Sequence, residues 1–116
     1  MNPHDKAHEL ARALKESSEY RAFLAAKSGM EGDPDAKKMV RDFISKQMEL
    51  EYEAMAGKSQ DTAKTENLQR LYQLIAMNTK AREFLEAYMR FQRTMADISK
   101  IIGDSVAEGL DIFAKD

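Results

Sequence analysis

Cysteine is absent from this chain of 116 residues. That absence excludes a disulfide framework, a thiolate nucleophile, a zinc knuckle and a cysteine-held cluster. Proline numbers 2 and glycine 5, so there is little to interrupt regular structure. The β-branched residues that favour strands are scarce. No apolar run approaches the roughly 20 residues needed to span a bilayer. Met1-Asn2-Pro3-His4-Asp5 has neither the basic start nor the apolar stretch of a signal peptide, so a cytoplasmic chain is expected. The formal net charge of -2 argues against a strong general affinity for nucleic acid or anionic membrane.

What is present favours helix. Hydrophobic residues make up 43% and charged residues 33%, a balance that suits a folded chain rather than a disordered one. Ala, Glu, Lys, Leu and Met, which lose least on entering a helix, are abundant. The length suits one domain, residues 1–116, with a single modest core.

The punctuation predicts where helices begin and end. A first helical stretch spans 4–29, with Ser17-Ser18 placed to end one helix and cap the next. Gly29 and Gly32 mark a break. Asp33 is placed as an N-cap, with Pro34 at the first helical position, where its missing N–H costs nothing. Asp35 then sits at the positive end of the helix dipole. The long helix that follows spans 34–56 and ends at Gly57. Lys58 to Lys64 is polar and reads as a loop. Helices are predicted over 62–77 and, capped by Asn78-Thr79, over 79–102. Gly103 and Gly109 weaken the pattern, leaving a short helix or tail over 104–116.

The two long helices share a template. A shift of 45 residues takes Asp33 to Asn78, Ala36 to Ala81, Met39 to Phe84, Val40 to Leu85, Phe43 to Tyr88, Ile44 to Met89, Gln47 to Gln92 and Leu50 to Met95. An old duplication gives this order. So does any pair of helices patterned for one bundle, and the sequence leaves both readings open.

At about 100° per residue, Ala36, Met39, Val40, Phe43, Ile44, Leu50, Ala54 and Met55 fill one side of the first long helix. Phe84, Leu85, Tyr88, Met89, Phe91, Met95, Ile98 and Ile102 do the same on the second. Each arc covers close to half the circumference, wider than docking on a single neighbour requires. Either the shorter helices cover the arcs or a second copy of the chain does. The expected fold is therefore all-α: a long antiparallel helical hairpin or bundle with shorter flanking helices, self-associating. The candidate interface is Met39, Val40, Phe43, Ile44, Gln47 and Leu50, with Phe84, Leu85, Tyr88, Met89, Gln92 and Met95.

Few residue groups suggest chemistry. His4 and His8 stand at i, i+4 beside Asp5 and Glu9, a spacing that suits zinc, but no third ligand is apparent and the turn lies at the chain end. Gln47 and Gln92 fall inside apolar arcs, where a paired amide can fix register across an interface. Lys80, Arg82, Arg90, Arg93 and Lys100 form the most basic stretch, near Tyr88 and Phe91. Glu83, Glu86 and Asp97 interrupt it, as on a solvated, salt-bridged face. An RNA-associated role through Arg82, Arg90 and Arg93 is the alternative reading. Glu49, Glu51 and Glu53 read as a solvated flank, because alternate residues on a helix do not face one another. Six of the 8 Met lie in the long helical segments, where Met serves as adaptable core or as an accommodating binding surface. No Gly-rich phosphate loop, HExxH helix or Gly-x-Ser-x-Gly elbow is present. No enzyme activity, cofactor or metal is expected.

Asp5-Lys6-Ala7-His8-Glu9-Leu10-Ala11-Arg12-Ala13-Leu14-Lys15-Glu16-Ser17 resembles the N-terminal segment of the YlbF/YmcA-like proteins of Firmicutes. Asp33-Pro34-Asp35-Ala36-Lys37-Lys38-Met39, followed by Phe43 and Gln47, resembles the cap and long helix of the same family, most closely its YheA-like branch. The resemblance spans nearly the whole chain, through cap and core patterns. It implies long antiparallel helices, self-association and a regulatory adaptor role. Relatives serve competence, sporulation and biofilm development in a complex that guides an endoribonuclease. Their iron–sulfur clusters are held by cysteine, so that chemistry does not carry over to this chain. The resemblance supplies no catalytic residues.

Overall fold

The computed structural model describes residues 1–113. Its helices are α1 (Pro3–Glu16), α2 (Ser18–Gly29), α3 (Pro34–Met55), α4 (Thr62–Ala76), α5 (Thr79–Ser105) and the short α6 (Ala107–Leu110). A 3-10 turn, Asp111–Phe113, follows. Of the tail expected over 104–116, residues 114–116 lie outside the described residues. None of the described helices is long and apolar enough to cross a membrane.

Side-chain caps explain the boundaries. Asn2, Ser17, Asp33, Asp61 and Asn78 each accept a backbone N–H from the first turn of the helix they precede. Ser17 does two jobs. Its Oγ donates to Leu14 O at 2.6 Å and accepts from Tyr20 N at 3.2 Å, so one residue closes α1 and opens α2. Gly57 adopts φ 78°. Its N–H reaches Ala54 O, and Lys58 N reaches Glu53 O, the paired bonds of a Schellman stop.

Helix α5 runs three residues beyond its expected end, through Gly103. An interior glycine costs only about 1 kcal/mol relative to alanine. Lys100 and Asp104 pair at 2.9 Å across Gly103, one helical turn apart, and support the extension.

Each long helix pairs antiparallel with a shorter one rather than with the other long helix. Phe43 of α3 faces Tyr72 of α4, while Glu49 and Glu53 farther along α3 meet Lys64 near the start of α4. Tyr20 and Phe23 of α2 lie against Phe91, Tyr88 and Phe84 of α5. Helices α3 and α5 meet near their N-terminal ends, and the core sits there. Met30, Ala36, Val40, Phe43, Ile75, Ala81 and Leu85 form one buried cluster. Ala36 and Ala81 are fully enclosed, and side chains that end at Cβ let two helices approach closely.

Three of these positions recur under the 45-residue shift. Met30 maps on Ile75, Ala36 on Ala81 and Val40 on Leu85, and all six are buried. The caps match as well: Ala36 N reaches Asp33 Oδ1 at 3.1 Å and Ala81 N reaches Asn78 Oδ1 at 3.0 Å. The shared template therefore extends beyond the long helices to the turns before them.

The molecule is a thin plate of 47 × 39 × 15 Å. Its radius of gyration is 17.8 Å, against about 13 Å for a compact domain of this length. It exposes 9150 Å², where a compact monomer of 13.2 kDa exposes roughly 6,400 Å².

Candidate protein-interaction surface

The apolar arcs fall into two parts. On α3, Val40 and Phe43 are buried inside the chain, as is Leu85 on α5. Their side chains pack mainly within the chain, although Val40 also borders an open groove. Met39, Ile44, Phe84 and Tyr88 are half-buried against the core. Leu50 is half-buried along the α3–α4 seam, while Met89 and Met95 are about two-fifths exposed. The arcs are wide because each long helix has more than one neighbour: α3 packs on α4 and α5, and α5 packs on α2, α3 and α4.

Two apolar surfaces remain uncovered. The first is a groove between α2 and α3. These helices diverge from their connecting turn and do not pack on each other, whereas α4 and α5 do. Gly32 sits in that turn at φ 86°, a left-handed conformation that glycine adopts without strain. The corresponding residue of the α4–α5 turn, Met77, is right-handed at φ -88°. The α2–α3 turn thus differs from the α4–α5 turn both in this left-handed residue and in length, residues 30–33 against 77–78. The cavity left between α2 and α3 is about 660 Å³, walled by Tyr20, Phe23 and Leu24 on one side and Val40, Ile44 and Met48 on the other. Phe84 lines it as well, and Lys27, Lys37, Arg41 and Glu31 supply its charge. The apolar wall continues past the groove: Ile44, Met48, Tyr52 and Met55 follow one another at helical spacing, the last three strongly exposed.

The second surface is the end of α5 with α6 and the 3-10 turn, where Ile101, Ile102, Val106, Leu110, Ile112 and Phe113 are all exposed. In both surfaces the exposed apolar side chains lie close together in sequence at helical spacing rather than singly.

The other candidates are placed as follows. Gln47 is half-buried and Gln92 exposed, and among the described residues the two are not paired within one chain. His4 and His8 are exposed on α1, and no three potential metal ligands come together among the described residues. Arg82 serves the fold: its guanidinium donates to Ala76 O at 2.9 Å, satisfying the end of α4, and lies 4.0 Å from Glu86. Arg90 and Arg93 are exposed. Of the three glutamates, Glu49 and Glu53 are not a free flank, since both bind Lys64 across the α3–α4 seam. Hydrogen bonds to Glu53 and then Glu49 hold the Lys64 ammonium well above the ordinary lysine range.

Comparison with known proteins follows the fold. Residues 4–107 match the family model described as control of competence regulator ComK, YlbF/YmcA. The chain belongs to the YlbF/YmcA family. Within that family it is 46% identical to a UPF0342 protein of Caldicellulosiruptor bescii over 105 residues, 90% of this chain and 88% of the relative. It is 39% identical to one from Desulfitobacterium hafniense over 116 residues, all of this chain and 94% of that one. Among solved structures, a protein of unknown function (DUF964) from Bacillus stearothermophilus aligns with TM-score 0.70 at 21% identity, covering 95% of this chain and 96% of that one. A chain from the crystal structure of Bacillus subtilis RicA in complex with RicF aligns with TM-score 0.55 at 20% identity, covering 92% and 95%. Both share the all-helical fold of this chain.

Sequence reasoning missed both the groove and the exposed arm. The α3 stripe was visible as Ile44, Met48, Tyr52 and Met55, a second apolar line beside the core-facing one. The α2 wall was not, because the path of α2 relative to α3 is set by the turn between them and not by a periodic pattern.

Proposed function

We propose that this chain is a non-enzymatic, self-associating helical adaptor whose work is binding other proteins. The observation that carries the reading is surface. The chain exposes about 2,700 Å² more than a compact monomer of its mass, and its exposed residues include large apolar side chains along α3 and at the end of α5. Obligate dimers bury total areas of this order, roughly 2,000–5,000 Å². Family membership supports a regulatory role, and one structural neighbour is a chain of a two-protein complex, that of RicA with RicF. The interface assigned by this reading draws on the parts left accessible at Met39, Ile44, Gln47 and Leu50 of α3 and Phe84, Tyr88, Met89, Gln92 and Met95 of α5.

Light scattering on the purified full chain at micromolar concentration tests self-association. A mass of two or more chains is the expected result, and a stable monomer overturns it. Capture of the tagged chain from its own cytoplasm, with and without ribonuclease, tests the adaptor role. A stoichiometric protein partner that survives ribonuclease is expected; loss of all partners on ribonuclease treatment moves the assignment to RNA.

A further inference from the structure

We propose that the end of α5 and its continuation, Ile101 to Phe113, docks into the α2–α3 groove of a second copy of the chain. The inference rests on the self-association reading and names the parts that meet.

The arm is an exposed apolar edge: Ile101 is 69%, Val106 51% and Phe113 81% accessible. The groove is an open apolar channel of about 660 Å³. A helical segment laid into an apolar groove is a common way for a chain to find a partner.

The arm of the same chain is out of reach. Phe84 lines the groove, and α5 is one continuous helix from Thr79 to Ser105. Ile101 lies 17 residues beyond Phe84, which at 1.5 Å per residue places it about 26 Å farther along a straight rod. Filling its own groove requires melting α5. A second copy faces no such obstacle.

Charge selects the same pairing. Lys27, Lys37 and Arg41 line the groove against the single acid Glu31. Between Ile101 and Phe113 the arm carries Asp104, Glu108 and Asp111 and no Lys or Arg. Opposed potentials of this kind fix partner and register at a rim. The α5 helix ends at Val106 and α6 restarts at Ala107, so the arm has a bend at which it can follow the groove. Because every copy carries one arm and one groove, two copies exchanging arms bury both surfaces twice and close as a twofold dimer.

The absence of native cysteine allows a direct test. One batch of full chain carries Ile44→Cys in the groove, and a second, differently tagged, carries Val106→Cys in the arm. The two are mixed, allowed to exchange, and treated with a flexible bis-maleimide. The expected product is a covalent pair joining the two tags, in excess of same-tag pairs. A dimer by light scattering that yields no mixed-tag product overturns the arm-in-groove arrangement while leaving self-association intact. A monomer overturns both. A second pair of variants checks the chemistry: K37E/R41E weakens association by roughly tenfold, the scale of two rim ion pairs. Mixing it with D104K/E108K restores the loss. Absence of restoration overturns the charge register.

Discussion

Residues 18–56 and their counterparts 63–101 begin from the same plan and end in different shapes. Each half places a buried apolar residue before a turn (Met30, Ile75), a capping side chain in it (Asp33, Asn78) and a fully buried alanine three residues on (Ala36, Ala81). There the likeness stops. In the second half, α4 lies against α5; in the first, α2 swings away and opens a groove. The seams differ as well. The α2–α5 seam is aromatic, with Phe23 within 6 Å of three rings, whereas the α3–α4 seam ends in a lysine held by two glutamates. Positions shared by the halves build the crossing, and positions that differ build the surface.

The largest effects are expected at the shared positions. Leu85→Ala removes most of a side chain that is 2% exposed at the crossing and is expected to cost about 2–5 kcal/mol. Ile75→Ala falls in the same range. Chemical denaturation followed by circular dichroism measures both. If Met30→Ala costs far less than Ile75→Ala, the two halves are not energetically equivalent and the repeat is one of pattern alone.

The hand of the turn comes next. Gly32→Ala keeps open space around the new Cβ but forces a left-handed alanine, a strain of about 1–2 kcal/mol. Met77→Gly at the matching position needs no change of hand and costs less. Equal costs contradict the role assigned to Gly32. The caps provide a finer comparison: Asp33→Ala and Asn78→Ala are each expected to cost about 1 kcal/mol, and their difference reports how alike the turns are.

The smallest effect belongs to a position with no counterpart. Lys64→Met removes the tie to Glu49 and Glu53 and is expected to lower the melting temperature slightly, less so in high salt, because the lysine is two-fifths exposed. The folded lysine binds its proton more tightly than the ordinary value of 10.5. Its contribution is therefore complete below that value and is lost only as pH rises through the raised one. A melting curve that weakens between pH 7 and 9 through this group contradicts the assignment.

Much of the fold was legible because caps and periodicity are local. Asp33-Pro34, Asn78 and Gly57 mark boundaries through bonds made within a few residues, and the structure places the helix ends there. The extension through Gly103 was missed because one interior glycine costs only about 1 kcal/mol, too little to end a helix that its preceding turns already carry. The interface residues were only partly legible. Periodicity shows that Val40 and Ile44 face away from solvent-loving neighbours, but it cannot say that Val40 is buried while Ile44 beside it in the groove stays half-exposed. That distinction depends on where α2 goes, which no local pattern on α3 records.

The thinness of the plate has a consequence in time. Amide protection is expected to be graded outward from the crossing of α3 and α5. Hydrogens near Val40 and Leu85 exchange only when the whole molecule opens, and those at the groove rim and beyond Ser105 exchange through small local openings. A chain built this way can reshape its edges without risking its centre. A bound partner is then recorded as a slowing of exchange at the rim, with the centre unchanged.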